Sequence, residues 1–381
     1  MQNFEFCNPT RILFGKGQIA ELSRLIDPKK KILLTFGGGS VKRNGVYDQV
    51  TRALAGYQTV EFWGIEANPC VETLQKAVDL GLKEKVDMVL AVGGGSVLDG
   101  TKLIAAGLAQ PEQDLWQIVL SRRAQKQIEF ADVITMSATG SEMNNGAVIS
   151  RRQTQEKYSF MGAYPSFSIL DPQVLYSLPR YQIACGLADI VVHCFEQYMT
   201  TTGQSRVLDR WAEGVIASTM EIAPLVLKDP HNYEYMSEYM YCATMALNNF
   251  IRMGVTQDWA THQIGHELTA LHGITHGESL AIIYPGTVSV LREQKQDKLL
   301  QFGERVLGIT QGSNQERVQA TIEGIEAFFK SLGLATRLSE KGVTVDDVER
   351  IAQRFTERDA HLGEKMNVTG KIIRQIMMER I

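Results

Sequence analysis

Residues 86–102 read VDMVLAVGGGSVLDGTK. An unbroken apolar run leads into a glycine triplet and then a helical pattern, which is typical of a strand buried on both faces of a parallel sheet and followed by a tight turn into a helix. The same order occurs at 31–41, KILLTFGGGSV. With further β-rich runs at 57–63 and 132–137, this part of the chain predicts βαβ units that form a Rossmann-like parallel sheet.

The GGGSV sequence occurs twice, at 37–41 and 93–97, at an offset of 93 − 37 = 56 residues. In each copy, backbone N–H groups and the positive end of a helix dipole can face an anion. Neither copy matches G-x-G-x-x-G or the P-loop, which disfavours an ordinary Rossmann enzyme or an ATPase. The shared setting of the two turns predicts one nucleotide held at two points, and Asp99 and Lys102, one turn into the helix after the second triplet, favour a nucleotide.

Ser40, Lys42 and Arg43 follow the first glycine triplet, and no acid stands there. NAD sites usually place a carboxylate against the ribose 2′-hydroxyl, whereas NADP sites offer cations or hydroxyls. If this turn meets the adenosine ribose, NADP is preferred over NAD. In the alternative interpretation, Lys42 and Arg43 lie only on a solvated helix face.

The β-rich runs disappear after about residue 175, and long amphipathic segments follow. We therefore expect a dinucleotide-binding α/β domain over 1–177 and an all-helical metal-binding and catalytic domain over 178–381. A hairpin and the connection between domains are expected within 151–175. Helices are expected at 179–200, 206–227, 233–252, 255–272, 278–293, 297–308, 315–332 and from 344.

Histidine and aspartate cluster in this second half. Asp189 and His193 are four residues apart, as are His262 and His266, so each pair lies on one face of a helix, about one turn apart. His276 follows His262 by 276 − 262 = 14 residues, just past a glycine turn. One aspartate oxygen and three imidazoles suit Fe²⁺ or Zn²⁺ with a position left open for substrate.

Other classes of protein fit less well. A zincin protease needs H-E-x-x-H, but Ala270 stands where the second histidine would follow His266. The 381 residues carry a formal net charge of −4, without the basic excess that nucleic acid attracts. No signal peptide or membrane span is apparent, so we expect a soluble, cytoplasmic protein. The five cysteines contain no C-x-x-C pair and are expected to be reduced, mostly buried thiols.

At this point the residues carry a family resemblance. The chain resembles the iron-containing alcohol dehydrogenase family, and within it the branch of NADPH-dependent aldehyde reductases and butanol dehydrogenases. The similarity runs over nearly the whole chain, through both GGGSV turns and through PTRILFGKG (9–17), ATGSE (138–142), LDP (170–172), LADIVVH (187–193) and the block 259–277. It implies a dehydroquinate synthase-like fold, with an α/β nucleotide-binding domain and an all-α metal-binding domain.

The resemblance also implies roles for individual residues. The metal ligands would be Asp189, His193, His262 and His276. The cofactor site would comprise Gly37, Gly38, Ser40, Gly94, Gly95, Ser96, Asp99, Thr139, Ser141 and Lys157. The catalytic candidates would be His266, beside the nicotinamide and substrate, together with His272 and Asp99. The chain departs from many members of the family at Ser137-Ala138, where they carry hydroxyl residues at both positions. It also lacks the acid after the first strand that NAD-using members tend to have.

The implied function is metal-dependent hydride transfer between NAD(P)H and an aldehyde or primary alcohol, with NADP(H) preferred over NAD(H) and one Fe²⁺ or Zn²⁺. The alternatives are a glycerol dehydrogenase-like or other polyol dehydrogenase of the same fold and, less favoured, a metal-dependent hydrolase. The expected partner is a small aldehyde or alcohol, with neither nucleic acid nor membrane. A homodimer is expected, with pairing through the first strand near Lys16 and Gly17.

Overall fold

The computed structural model describes all 381 residues. The chain divides into two compact units. The sheet unit comprises 7–178 and 230–244, and the helical unit comprises 1–6, 179–229 and 245–381. The change of unit at Leu178/Pro179 lies beside the domain boundary expected from the sequence.

The sheet unit is built on six parallel strands, which confirms the predicted sheet. Their spatial order is β1-β8-β5-β4-β2-β3, and a separate antiparallel hairpin is formed by β6 and β7. Every residue of β4 is buried, as its unbroken apolar sequence requires. The strands are Arg11–Phe14 (β1), Lys31–Phe36 (β2), Gln58–Phe62 (β3), Met88–Gly93 (β4), Glu129–Ile134 (β5), Gly146–Arg151 (β6), Glu156–Met161 (β7) and Phe167–Leu170 (β8).

The helices of this unit connect successive strands, as in other βαβ proteins. The longest, α5, begins at Gly95, the last residue of the second glycine triplet, and is buried along most of its length. The helices before residue 178 are Leu22–Leu25 (α1), Ser40–Arg43 (α2), Val46–Ala53 (α3), Val71–Glu84 (α4), Gly95–Ala109 (α5) and Leu115–Leu120 (α6).

The sheet register places the two glycine turns side by side. β2 pairs with β4, and Phe36 lies opposite Val92, a separation of 92 − 36 = 56 residues that equals the offset of the two GGGSV copies. Both strands end at the same edge of the sheet. A Cβ added to Gly37 would lie 3.4 Å from a methyl carbon of Val97, so the two turns are in contact.

In the helical unit all regular elements are helices, as predicted. α7 is buried without interruption from Ile183 to Tyr198. Side chains of α10, α11, α14 and α15 form one apolar core. The helices that follow residue 179 in the chain are Arg180–Tyr198 (α7), Arg206–Lys228 (α8), Tyr233–Ala246 (α9), Ala260–His272 (α10), His276–Val290 (α11), Gln296–Arg305 (α12), Asn314–Ser331 (α13), Val345–Glu357 (α14) and Gly370–Met378 (α15).

Most of α9 belongs to the sheet unit, although the sequence places it in the helical domain. The Tyr239 hydroxyl donates a hydrogen bond to the Ser137 carbonyl, and the Thr244 hydroxyl donates to Glu142 at 2.6 Å. Helical periodicity predicts that a helix forms, but it does not predict which core the helix packs against. The sequence therefore could not show that α9 belongs to the sheet unit. α9 also ends six residues before the predicted position 252.

No helix of the structure has both the length and the apolar character that a membrane span requires. None of the five cysteines forms a disulfide, and four of them are buried, in agreement with the sequence-based expectation.

Candidate metal and cofactor sites

Asp189 and His193 lie one turn apart on the buried face of α7. Their relative exposures are 2% and 3%, and the distance from Asp189 Oδ1 to His193 Nε2 is 3.5 Å. A buried carboxylate requires a partner, since an isolated charge in the protein interior is costly. The helical spacing that the sequence indicated thus aims both side chains at one place.

α10 and α11 bring two further histidines to the same carboxylate oxygen. His262 Nε2 and His276 Nε2 lie 3.7 and 3.6 Å from Asp189 Oδ1. These distances are too long for hydrogen bonds. Ligand atoms about 2.1 Å from a tetrahedral ion are about 3.4 Å apart, close to the separations observed.

The ligand atoms of Asp189, His262 and His276 all lie within 4.8 Å of one another. His193 joins them through its 3.5 Å approach to Asp189 and its ring, which stacks on His262 with centroids 4.6 Å apart. Asp189 Oδ1 and His262 Nε2 are buried without a hydrogen bond. Each unsatisfied atom costs about 1–3 kcal/mol, a cost that a bound cation would remove.

The protonation of these groups follows from their burial and charges. Burial lowers the pKa of His193 to about 4, although Asp189 opposes the shift, so this imidazole is neutral at pH 7. Burial favours a raised pKa for Asp189, but the three histidines outweigh it and lower the pKa. A neutral imidazole and an ionised carboxylate are the forms that bind a metal ion.

Glu196 contacts His262 and was missed by the sequence analysis. It lies on α7, is 1% exposed, and accepts a short hydrogen bond from His262 Nδ1. Burial opposes the protonated imidazole, but Glu196 and Asp189 raise the pKa of His262 to about 9. A usable signal existed, because Glu196 follows His193 by three residues and therefore lies on the same helix face.

Gly277 sets the distance between α7 and α11. A Cβ at this position would lie 2.0 Å from the carbonyl oxygen of Cys185, one turn before Asp189 on α7. Only glycine permits this backbone contact. The close approach brings the neighbouring His276 to the Asp189 carboxylate.

The two remaining candidate histidines of this unit lie in different places. His266 is 7% exposed, and its ring centroid is 5.5 Å from that of His276 and 6.5 Å from that of His262. His272 is the last residue of α10, and its Nε2 lies 3.8 Å from Asp347 Oδ1. The structure therefore brings His266, but not His272, to the group of candidate ligands.

In the sheet unit, Gly94 and Gly95 form the N-terminus of α5 in a tightly packed turn. A Cβ on Gly95 would lie 2.4 Å from Thr139 Oγ1, and one on Gly94 would lie 3.0 Å from the Met136 Cβ. Ser96 Oγ accepts a hydrogen bond from the Asn68 backbone N–H at 3.4 Å. The first turns of α5 thus lie directly against the 136–139 segment.

Asp99 and Lys102 hold the turn that contains Ser141. The Ser141 hydroxyl donates to Asp99 Oδ1 at 2.7 Å and accepts from Lys102 Nζ at 2.8 Å. Asp99 Oδ2 accepts from the Val148 backbone N–H, and Lys102 also donates to the carbonyl oxygen of Gly146 at 2.7 Å. Both the hydroxyl of Ser141 and the ammonium of Lys102 are thereby committed to internal bonds.

Lys102 is fully buried, and burial lowers its pKa to about 8 against the attraction of Asp99 and two other acids. The position of this lysine, one turn into the helix, predicts a contact with a nucleotide. Its ammonium instead organises the loop. Lys157, another cofactor-site candidate, is 9% exposed and donates to Asn68 Oδ1 at 2.8 Å.

The first glycine turn is more open. A Cβ on Gly38 would meet no atom within 4 Å, and Ser40 begins the short α2. Lys42 Nζ lies 4.1 Å from the centre of the Trp63 ring. An acid that the sequence analysis did not consider, Glu61, accepts hydrogen bonds from Trp63 Nε1 and the Tyr47 hydroxyl, both at 2.7 Å.

Comparison with known proteins adds independent observations. A family model described as iron-containing alcohol dehydrogenase matches residues 9–172, and one described as the C-terminal part of the Fe-containing alcohol dehydrogenase family matches 183–380. The chain is 46% identical to NADPH-dependent aldehyde reductase YqhD of Escherichia coli over 99% of both chains. It is 38% identical to the probable NADH-dependent butanol dehydrogenase 1 of Bacillus subtilis over 93% of both.

Solved structures show the same similarity. The crystal structure of Escherichia coli YqhD superposes with a TM-score of 0.98 and covers 100% of this chain and 99% of its own, at 46% identity. That of NADH-dependent butanol dehydrogenase A from Thermotoga maritima gives a TM-score of 0.95 with the same coverage, at 34% identity.

Proposed function

The chain belongs to the iron-containing alcohol dehydrogenase family, and from that premise we propose that it is an NADPH-preferring aldehyde reductase or butanol dehydrogenase that uses Fe²⁺ or Zn²⁺. It is an oxidoreductase that interconverts aldehydes and alcohols with NAD(P)H. Full-length relatives named for nicotinamide-dependent aldehyde and alcohol chemistry favour this function over a polyol dehydrogenase or a hydrolase.

The convergence of Asp189, His193, His262 and His276 on one buried point is the observation that carries the proposal. We assign these four side chains as the ligands of the divalent ion. The ion would supply a Lewis acid for the substrate oxygen, and NADPH would supply the hydride. The protein contributes the neutral imidazole of His193, which burial keeps unprotonated, and the carboxylate of Asp189, which the neighbouring histidines keep ionised.

His266 is proposed as the group that moves a proton to or from the substrate oxygen. Imidazole titrates near neutral pH and suits this task. The nearness of its ring to those of His276 and His262 supports His266 over His272, which interacts with Asp347.

For the cofactor, we assign the pyrophosphate to the N-terminus of α5, where Gly94, Gly95 and Ser96 expose backbone N–H groups at the positive end of a 15-residue helix. Asp99 is assigned a positioning role, because one of its oxygens accepts a hydrogen bond from Ser141 and the other accepts one from the Val148 backbone N–H in β6. Thr139 and Lys157 remain assigned to the cofactor site.

The preference for NADPH is proposed from the first glycine turn, with Gly37, Gly38 and Ser40 meeting the adenosine ribose. Ser40 and Lys42 offer a hydroxyl and a cation to a 2′-phosphate. Glu61 is an acid near this turn, but its two oxygens already accept hydrogen bonds from Tyr47 and Trp63. This disfavours a further bond from Glu61 to a ribose 2′-hydroxyl.

The test uses full-length protein that is stripped of metal by chelation and reloaded separately with Fe²⁺ and Zn²⁺. Consumption of NADPH with butanal is followed by absorbance, with NADH in parallel. We expect activity only after reloading, and a higher kcat/KM with NADPH. His262→Ala should abolish turnover, whereas His361→Ala, which changes a half-exposed histidine outside the candidate site, should not.

Two results would revise the proposal. Equal use of NADH would remove the cofactor preference alone. Full activity of metal-free protein, or of His262→Ala, would remove the metal assignment.

We also propose a cytoplasmic homodimer that pairs through β1. This strand is at the edge of the six-stranded sheet and is hydrogen-bonded on one side only, to β8, and Phe14 at its end is 38% exposed. Light scattering on the purified protein measures the mass of the assembly, and a monomer at micromolar concentration would contradict the proposal.

A further inference from the structure

Both carboxylate oxygens of Glu196 accept hydrogen bonds from the first turn of α10. Oε1 accepts from the backbone N–H of Thr261 at 2.7 Å, and Oε2 accepts from the backbone N–H of His262 at 3.3 Å. Oε2 also accepts the short hydrogen bond from His262 Nδ1. The side chain is 1% exposed, so water does not compete for these bonds.

The contact with Nδ1 decides which nitrogen of His262 carries the proton. An ionised carboxylate can only accept hydrogen bonds, so Nδ1 must be the donor. In a neutral imidazole, Nε2 then bears the lone pair. Nε2 is the atom that lies 3.7 Å from Asp189 Oδ1 and has no hydrogen-bond partner.

The same carboxylate replaces a missing helix cap. The residue at the N-cap of α10, Trp259, has a left-handed backbone with φ 65° and makes no side-chain capping bond. The free N–H groups at a helix start favour an anion. Asp258 accepts from the Ala260 N–H at 3.0 Å, and Glu196 binds the next two N–H groups.

We propose that Glu196 is a positioning residue that fixes both the tautomer and the location of His262, so that Nε2 is presented to the metal ion. The inference rests on the proposed function, because it takes His262 as a ligand. Carboxylates that orient a ligating histidine typically change metal affinity by about 10- to 100-fold. Glutamine at this position offers one acceptor oxygen instead of two, so it cannot keep all three bonds.

The first experiment measures Zn²⁺ affinity of the full-length protein by competition with a chromogenic chelator. We expect Glu196→Gln to weaken binding by about 10- to 100-fold. Glu213→Gln is the matched control, because Glu213 is also a buried glutamate of the helical unit, 5% exposed, and bonds to Tyr198 and Arg305. It should bind Zn²⁺ as the unmodified protein does.

A double-mutant cycle with His262→Ala separates positioning from general loss of structure. If Glu196 acts through His262, Glu196→Gln should have little further effect on Zn²⁺ affinity once the imidazole is gone. An undiminished effect in that background would overturn the proposal. So would unchanged affinity of Glu196→Gln in the presence of His262.

A third measurement needs no folded variant of Glu196. Nitrogen NMR of histidine-labelled, Zn²⁺-loaded protein should show the His262 resonances with a proton on Nδ1 and the metal on Nε2. Metal bound through Nδ1 would overturn the proposal. If the unmodified protein bound no Zn²⁺ at all, the proposed metal site would fail, whereas tight binding with the wrong tautomer would refute only the role of Glu196.

Discussion

Replacing Gly277 by alanine should weaken metal binding by forcing α11 away from α7. The new Cβ would lie 2.0 Å from the Cys185 carbonyl oxygen, whereas a carbon and an oxygen normally approach to about 3.3 Å. The backbones must therefore separate by about 1.3 Å. Because His276 directly precedes Gly277, its Nε2 moves relative to Asp189, and metal distances tolerate only about 0.2 Å.

The magnitude follows from the cost of overpacking. Forcing an extra methyl into a close contact costs about 1–3 kcal/mol. In the metal-free protein, a shift of α11 relieves this strain, and metal binding must restore it. At 1.4 kcal/mol per factor of ten, Zn²⁺ affinity should fall by about 5- to 150-fold.

Chelator competition with Zn²⁺ measures this change, with Gly214→Ala as the control. Gly214 lies within α8, and a Cβ there would meet no atom within 4 Å. That substitution should leave Zn²⁺ affinity unchanged and stabilise the helix by about 0.5–1 kcal/mol. If Gly277→Ala bound Zn²⁺ as tightly as Gly214→Ala, the link between the α7–α11 contact and the metal site would be refuted.

His262, Gly95 and Lys102 each lead to a further measurable outcome. A proton and a metal ion compete for Nε2 of His262, and the pKa of this histidine is about 9. The affinity for Zn²⁺ should therefore fall about tenfold for each pH unit below that value. An affinity that does not change with pH in chelator competition would contradict this expectation. Gly95→Ala places a Cβ 2.4 Å from Thr139 Oγ1. It should weaken NADPH binding about tenfold or more in a fluorescence titration and leave the affinity for Zn²⁺ unchanged. An NADPH affinity equal to that of the unmodified protein would argue against the pyrophosphate assignment. Lys102→Met removes the hydrogen bonds that Lys102 donates to the carbonyl oxygens of Ser141 and Gly146. The free energy of unfolding, measured by urea denaturation, should fall by about 3–5 kcal/mol. An unchanged free energy of unfolding would mean that these bonds contribute nothing to stability.

Local sequence signals predicted most of the fold. Continuous apolar runs before glycine turns predicted β2 and β4, and helical periodicity predicted the elements of the helical unit. The packing of α9 could not be predicted, because its bonds to Ser137 and Glu142 join segments about 100 residues apart in the chain. Such contacts depend on tertiary structure, which periodicity does not record.

The sequence predicts the candidate metal ligands because two pairs occur at helical spacing and a fourth histidine, His276, follows. Glu196 was missed, since its role depends on which helix start lies against α7. The sequence pattern at Lys102 predicts a contact with a nucleotide, but its charge is buried and its bonds are internal. A sequence shows which residues share a helix face, but not which face meets the ligand.

The two glycine turns and the paired residues of β2 and β4 are both offset by 56 residues, and this equality determines which insertions and deletions the site can tolerate. The turns are neighbours because β2 and β4 are hydrogen-bonded in register, not because of the number of residues between them. Insertions in the connecting loops therefore leave the two turns adjacent, provided that the strands keep their pairing. The bend at Gly56, where φ is 90° and no atom would contact a Cβ, is one place to add residues. A deletion of one residue inside β2 would instead turn its buried side chains to the opposite face and separate the turns.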